Sequence, residues 1–370
     1  MMVLIIVCLI CLLSQCGFVI WNIIAIPKMG AIDGQRESVH LSVCIPARNE
    51  ERNIEACLES ILNQSHVPSE IIIVDDQSTD ATKNIIKHYE EKYPALIQYV
   101  KGQELPEGWK GKVYACHQLG ELATSEWLLF IDADVRLQQD AIEKLTPHLT
   151  RQKQGIISGF PRQIVGTWLE RLLVPMMAYL IYTHLPIAYV QKSTNPIFAA
   201  AHGGFIAIHR HTYNKIGGHE TIKDAMVDDM ALFKRVKAYH DPALLLKIDR
   251  YVYMRMYHTP KEVIEGYAKN SYHGINKNNL LLIGICSYYL FLYLLPVVGL
   301  MMNGSVRILS MICIGIAILT KAIVDKVNRL SITHSLFIAV SSIFVIGLLV
   351  YAASQSYVKK GYTWKGRHYE

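Results

Sequence analysis

The sequence predicts an α/β fold: a doubly wound, mostly parallel sheet, flanked along the chain by amino-terminal and carboxy-terminal membrane helices. Three observations predict it. Short β-branched runs alternate with amphipathic stretches between about residues 39 and 131. Four long apolar segments lie outside that region. Acidic residues collect where the short runs end, which is where ligands bind in open parallel sheets.

The strands and helices follow in order. Val39 to Ile45 reads as a strand ending at Pro46, and a helix follows over residues 50–64, with Ile54, Cys57, Leu58, Ile61 and Leu62 on one face. Ile71 to Val74 is a continuous β-branched run, the pattern of a strand buried on both faces. A turn-rich stretch follows, with Asp80 or Ser78 placed to cap the next helix. Leu96 to Val100 makes a third strand, residues 110–124 a helix, and Leu128 to Ile131 a fourth strand.

Length and composition allow one domain of ordinary size plus a membrane-embedded part. The chain has 370 residues, of which 51% are hydrophobic, and its mean hydropathy is +0.21. Met2 to Pro27 is almost uncharged, and further apolar stretches run at about 280–302, 306–324 and 334–354. Each can cross a hydrocarbon core of roughly 30 Å. The first stretch lacks a basic segment before it and a small-residue cleavage site after it, so it is expected to stay as an anchor. Lys28 and Arg36 follow it and no charge precedes it, which places the next domain in the cytoplasm of a multi-pass cell-membrane protein. One span followed by three would put the tail outside. The tail residues Lys359, Lys360, Lys365 and Arg367, and the loop from Asp325 to Arg329, favour the cytoplasm instead. The two demands conflict unless one apolar segment is re-entrant or interfacial. The expected division is 1–27 as anchor, 28–260 as catalytic domain, 261–279 as connector, 280–354 as membrane helices and 355–370 as basic tail.

The net charge of +6 is modest. No basic stripe interleaved with aromatic residues is present, so nucleic acid is not an expected partner. Cys8, Cys11, Cys16, Cys286 and Cys313 lie in apolar spans, and Cys44, Cys57 and Cys116 show no ligand spacing with histidines. Neither disulfides nor structural zinc are expected.

Chemistry concentrates at the strand ends. Phe130-Ile131-Asp132-Ala133-Asp134 closes the fourth strand and can aim two carboxylates at one spot, as hard ligands for Mg²⁺ or Mn²⁺. A solvated turn gives the same pattern. Val74-Asp75-Asp76-Gln77-Ser78-Thr79-Asp80 closes the second, where carboxylates can accept from a nucleobase or ribose, or cap a helix. Ile45-Pro46-Ala47-Arg48-Asn49-Glu50 closes the first. Glu107-Gly108-Trp109-Lys110-Gly111-Lys112 offers glycines for close backbone approach and lysines for a diphosphate.

In this order and spacing the four motifs resemble glycosyltransferase family 2, over roughly residues 40–260. The resemblance implies a GT-A nucleotide-sugar-binding domain and a UDP-sugar donor. It implies that Pro46, Ala47, Glu50 and Asp76 line the nucleotide pocket, that Lys112 faces the diphosphate, and that Asp132 touches the nucleotide sugar. Asp134 is the implied main metal ligand, with Asp132 beside it. His202-Gly203-Gly204-Phe205 is similar to the family's acceptor-side glycine turn. Val227-Asp228-Asp229-Met230-Ala231-Leu232 matches the family's E-D-x-x-L stretch, which makes Asp229 the catalytic base; Asp228 stands where the family usually has Glu. A pair of aspartates capping an amphipathic helix is the plainer explanation of that stretch.

Two features narrow the subclass. The Q-x-x-R-W signature of processive synthases is missing, and Tyr253-Met254-Arg255-Met256-Tyr257 stands nearest to it, so a single transfer is expected. Arg255 can bind diphosphate or serve as a surface arginine. The ending Trp364-Lys365-Gly366-Arg367-His368-Tyr369 resembles the family's bacterial lipid-modifying members. Those acting on carotenoid acids such as 4,4'-diaponeurosporenoate are nearest, with hopanoid- and ceramide-type enzymes as cousins. The implied acceptor is lipid-like, with glucose the implied sugar and a polyprenyl phosphate the alternative acceptor. Residues 166–190 suit an interfacial helix at the acceptor entrance and equally a buried core helix.

Overall fold

The computed structural model describes residues 1–32, 39–275, 277–358, 362–364 and 367–369. Arg36, Lys359, Lys360 and Lys365, which entered the charge argument, lie outside the described residues, as does the Arg367 side chain. The chain divides into two compact units. One comprises Ile26–Arg162 and Ile187–Arg255; the other comprises Met1–Ala25, Gln163–Pro186 and Met256–Glu370.

The first unit is built on a seven-stranded sheet. Strands β1 (Leu41–Ala47), β2 (Glu70–Asp75), β3 (Ile97–Lys101) and β4 (Trp127–Phe130) lie in the order β3-β2-β1-β4, all parallel. Ile206–His209 then joins β4 antiparallel, Ile156–Gly159 joins it antiparallel in turn, and Ala243–Leu246 closes the edge in parallel. The sheet is therefore mixed but mostly parallel, a GT-A-like α/β architecture. Ile71, Ile72, Ile73 and Val74 are all fully buried, as a strand with helices on both faces requires. Helices Ile54–Leu62, Thr82–Lys92 and Gly111–Leu122 supply the crossovers. The first starts later than the apolar spacing suggests, because residues 51–53 form a turn tied to the β2 loop.

Beyond β4 the chain reverses through Asp132–Asp134 into a short strand, Val135–Leu137, which pairs antiparallel with Val252–Met254. Val135, Leu137, Val252 and Met254 point inward, and Arg136 and Tyr253 are partly exposed. That alternation is the period of two expected of a strand with one face on a core.

The second unit is helical. Helices Met2–Ala25, Asn279–Gly299, Ser305–Val327 and Ile332–Ser356 are each long and apolar enough to cross a membrane. Helix Trp168–His184 belongs to the same unit and starts with a capping box: Thr167 Oγ1 accepts from the Glu170 N–H, and Glu170 accepts from the Thr167 N–H. Leu169, Leu173, Val174, Met176 and Tyr179 are buried, while Trp168 at the start of the helix is 58% exposed, so the helix has one buried and one open face. A polar knot ties the apolar helices together. Gln15 accepts from the hydroxyls of Tyr179 at 3.1 Å and Tyr293 at 2.9 Å and donates to Tyr288 at 3.2 Å. Lys321 and Asp325, one turn apart, form a buried ion pair with contacts of 2.5 and 2.7 Å.

Candidate active site

The carboxyl ends of β1 and β2 are laced together by reciprocal hydrogen bonds. Asn49 and Gln77 both adopt left-handed backbone, with φ of 51° and 57°, a conformation that asparagine tolerates better than most residues. The Asn49 N–H donates to Ser78 Oγ at 3.0 Å, and the Asn49 carbonyl oxygen of the side chain accepts from the Thr79 N–H at 2.8 Å. Asp80 accepts from the Thr82 N–H at 3.0 Å, as the capping argument expects, and from the Glu51 N–H at 3.2 Å. Ser78 therefore serves the β1 loop, while Asp80 takes the Thr82 N–H from one position ahead of the cap residue, Ala81. Pro46 and Ala47 pair in register with Val74 and Asp75. Asp76 is nearly buried, its N–H donating to the Ala47 carbonyl at 2.8 Å, with the Arg48 guanidinium 3.9 Å from its carboxylate. Glu50 accepts from Asn53 Nδ2 at 2.9 Å. The four expected nucleotide-pocket residues thus share one sheet edge.

A cluster of opposite charges forms beside it. Lys112, in the first turn of helix Gly111–Leu122, places Nζ 2.7 and 3.0 Å from the two oxygens of Asp132 and 4.0 Å from Asp228. Burial alone would lower the lysine, but Asp132 and Asp228 hold its ammonium well above the usual value. Asp229, the second residue of helix Asp228–Ala238, accepts from the Gly203 N–H and from its neighbour Met230 N–H, both at 2.7 Å. Desolvation, then the adjacent Asp228, raises its carboxyl to about 7, against the lowering pull of Lys112 and the two N–H donors.

Gly203 sits at the centre. A Cβ there would lie 2.9 Å from Lys112 Nζ, 3.6 Å from Asp229 and 3.8 Å from Asp132. A side chain there would meet the two carboxylates at ordinary contact distance but would crowd the Lys112 ammonium. The turn is braced by Ser158, which accepts from the His202 N–H at 3.0 Å and donates to the Phe205 carbonyl at 2.9 Å. His202 is buried and neutral, lowered to about 4 mainly by desolvation. Its Nδ1 accepts from the Gly204 N–H at 3.0 Å, so the proton sits on Nε2. Sequence reasoning missed Ser158, which lies inside an apolar strand with no motif around it. It also missed His219, buried near Asp228, with Nδ1 in a 2.9 Å hydrogen bond with the Tyr213 hydroxyl.

Asp132 and Asp134 are each partly exposed between buried Ala133 and Val135, with Oδ1 of Asp134 buried. This pair of hard oxygen donors fits a divalent ion that shares its shell with phosphates and water. Among the described residues no group of three or more His, Cys, Asp or Glu side chains could hold an ion without such help. Arg255 directly follows Met254, the end of the strand whose last register partner is Val135.

The glycosyl transferase family 2 model matches residues 42–217, which contain the β1, β2 and β4 loops, Lys112 and the Gly203 turn. The matched region is a family 2 glycosyltransferase domain. Family 2 glycosyltransferases are enzymes, and relatives extend the similarity past the matched region. A 4,4'-diaponeurosporenoate glycosyltransferase of Staphylococcus haemolyticus is 27% identical over 347 residues, covering 89% of this chain and 88% of the relative. Its counterpart in Staphylococcus aureus is 25% identical over 346 residues, with the same coverage. Among solved structures, the mannosyltransferase PcManGT from Pyrobaculum calidifontis, in complex with GDP-Man and Mn²⁺, shares the fold. The TM-score is 0.56 at 16% identity, over 96% of this chain and 99% of that one.

Proposed function

We propose that this family 2 enzyme is an inverting, non-processive glycosyltransferase that moves one sugar, glucose, from a UDP-sugar to a lipid-like acceptor. A carotenoid acid such as 4,4'-diaponeurosporenoate is the proposed acceptor, supported by relatives that match over most of their own length. The four apolar helices support a multi-pass cell-membrane protein, and donor use requires the catalytic unit on the cytoplasmic side.

The observation that carries the reading is the Asp229 carboxylate, raised to about 7 and held by the Gly203 N–H at 2.7 Å beside the Lys112–Asp132 pair. A base titrating near the working pH can take a proton and still drive the transfer. In this mechanism Asp229 removes the proton from an acceptor hydroxyl, or orients a carboxylate acceptor, while the acceptor oxygen attacks the anomeric carbon. The bond to the donor phosphate breaks on the opposite face. Pro46, Ala47, Glu50 and Asp76 line the nucleotide pocket, and Asp132 contacts the nucleotide sugar. Lys112 and Arg255 face the diphosphate and take up its growing charge. Asp134, with Asp132, would hold Mg²⁺ or Mn²⁺, which when bound supplies Lewis-acid stabilisation of the leaving group.

Asp229→Asn tests the assignment. It keeps the shape and the Gly203 contact but removes the base, so transfer to a hydroxyl acceptor should fall about 10²–10⁴-fold with UDP affinity unchanged. Equal rates in wild type and variant would remove Asp229 from the chemistry. EDTA should stop transfer until Mn²⁺ or Mg²⁺ is restored; full activity in EDTA would remove the metal ion.

A further inference from the structure

The small sheet beyond β4 carries a second group of cations that the mechanism leaves unused. Arg136 and Tyr253 are direct cross-strand partners, so their side chains stand together on the exposed face, opposite the buried Val135 and Met254. Arg162, in the strand on the other side of Val252–Met254, lays its guanidinium 5.7 Å from the centre of the Tyr253 ring. The three side chains form a row across neighbouring strands, which puts the two arginines roughly 10 Å apart at the backbone. Long side chains close that gap easily.

Among the described residues neither arginine is paired with a carboxylate. Arg136 gives Nη1 to the carbonyls of Ala133 at 3.0 Å and Val135 at 2.9 Å, both uncharged. Arg162 Nε is buried and meets no hydrogen-bond acceptor among the described residues. Leaving such a donor unmet is costly unless something else supplies the acceptor. Arg136 follows the two carboxylates closely in the chain, and Asp132, Asp134 and Arg136 are each partly exposed between buried neighbours.

We propose that Arg136, Tyr253 and Arg162 form an oxyanion-binding row that takes the carboxylate head of the acceptor. The planar guanidinium forks match a carboxylate in a two-pronged way that lysine cannot, and the phenol hydroxyl between them adds a neutral donor. The donor diphosphate has its own cation in Lys112, which sits on Asp132. The inference rests on the lipid-acceptor reading above.

Binding tests it without turnover. The full-length protein in nonionic detergent is titrated with retinoate and with retinol, two polyenes that differ in the head group, by quenching of tryptophan fluorescence. UDP affinity is measured alongside by calorimetry. Wild type should bind retinoate at least about ten-fold more tightly than retinol, as a charge-assisted pair implies. The Arg136→Gln, Arg162→Gln double variant should bind the two equally, with retinol and UDP affinities unchanged. Arg162→Lys should lose part of the preference, and the two single Gln variants decide the matter if the double variant fails to fold. No retinoate preference in wild type, or a preference that survives in the variants, overturns the proposal. So does displacement of retinoate by UDP, which would give the arginines to the donor diphosphate. A protein that glycosylates a neutral lipid without preferring retinoate overturns the row and leaves sugar transfer standing. Retinoate preference without transfer does the reverse.

Discussion

Asp229 is shaped by opposing influences, and its titration makes a prediction at the residue scale. Desolvation and Asp228 push its carboxyl up to about 7, while Lys112 and two N–H donors pull it down. The active form of a general base is the deprotonated one. Transfer to a hydroxyl acceptor should therefore fall as pH drops through about 7, by up to ten-fold per pH unit below it, and level off above. A pH profile of kcat/KM reads this directly, and a flat profile from pH 5 to 8 would contradict it. Asp228→Asn should shift the inflection downward by removing the like charge. Much of this site was legible along the chain. Lys112, Asp132 and Asp134 lie in motifs a few residues long, and Asp229 lies in the first turn of a helix at a recognisable spacing. Ser158 and His219 were not legible, because their roles come from strand pairing and burial between residues distant in sequence.

At the scale of the element, the turn through Gly203 lies against Asp229, Lys112 and Asp132 together. A Cβ would stand 2.9 Å from Lys112 Nζ, the far end of a flexible side chain, so the fold can yield there. Gly203→Ala should leave the melting temperature nearly unchanged while pushing Lys112 off Asp132 and raising the donor KM. A loss of stability with normal KM would put the role of glycine elsewhere. Thr167→Ala removes one arm of the capping box of helix Trp168–His184, at a cost of about 1 kcal/mol, measurable by thermal unfolding. Strands β1 to β4 could be read from their β-branched runs and turn residues. Ile206–His209 could not, because a four-residue strand between a glycine turn and a helix carries too little periodicity, and only its antiparallel pairing with β4 places the Gly203 turn at the site.

The whole molecule joins a family 2 catalytic fold to helices suited to a bilayer, and each part makes its own demands. In the helical unit the Lys321–Asp325 pair is at most 1% exposed. Asp325→Ala would strand a buried ammonium and should destabilise the protein by about 3–5 kcal/mol, whereas replacing both with apolar residues should restore much of that. Denaturant titration in detergent measures the difference, and an unaffected single variant would contradict it. Composition alone announced these helices, since nothing but a membrane or a core explains four such apolar runs. Composition could not announce that Gln163–Pro186, in the middle of the sequence, groups with them. That grouping arises from buried faces that meet only in three dimensions. The central claim is transfer of one sugar to a lipid-like acid. Membranes containing the protein, a carotenoid acid and labelled UDP-glucose, extracted into organic solvent and analysed by mass spectrometry, test it most directly. The account predicts a product heavier than the acceptor by one hexose residue, carrying the label and absent without the protein. Unmodified acceptor with UDP-glucose and with every other nucleotide-sugar supplied, or a ladder of several added sugars, would contradict it.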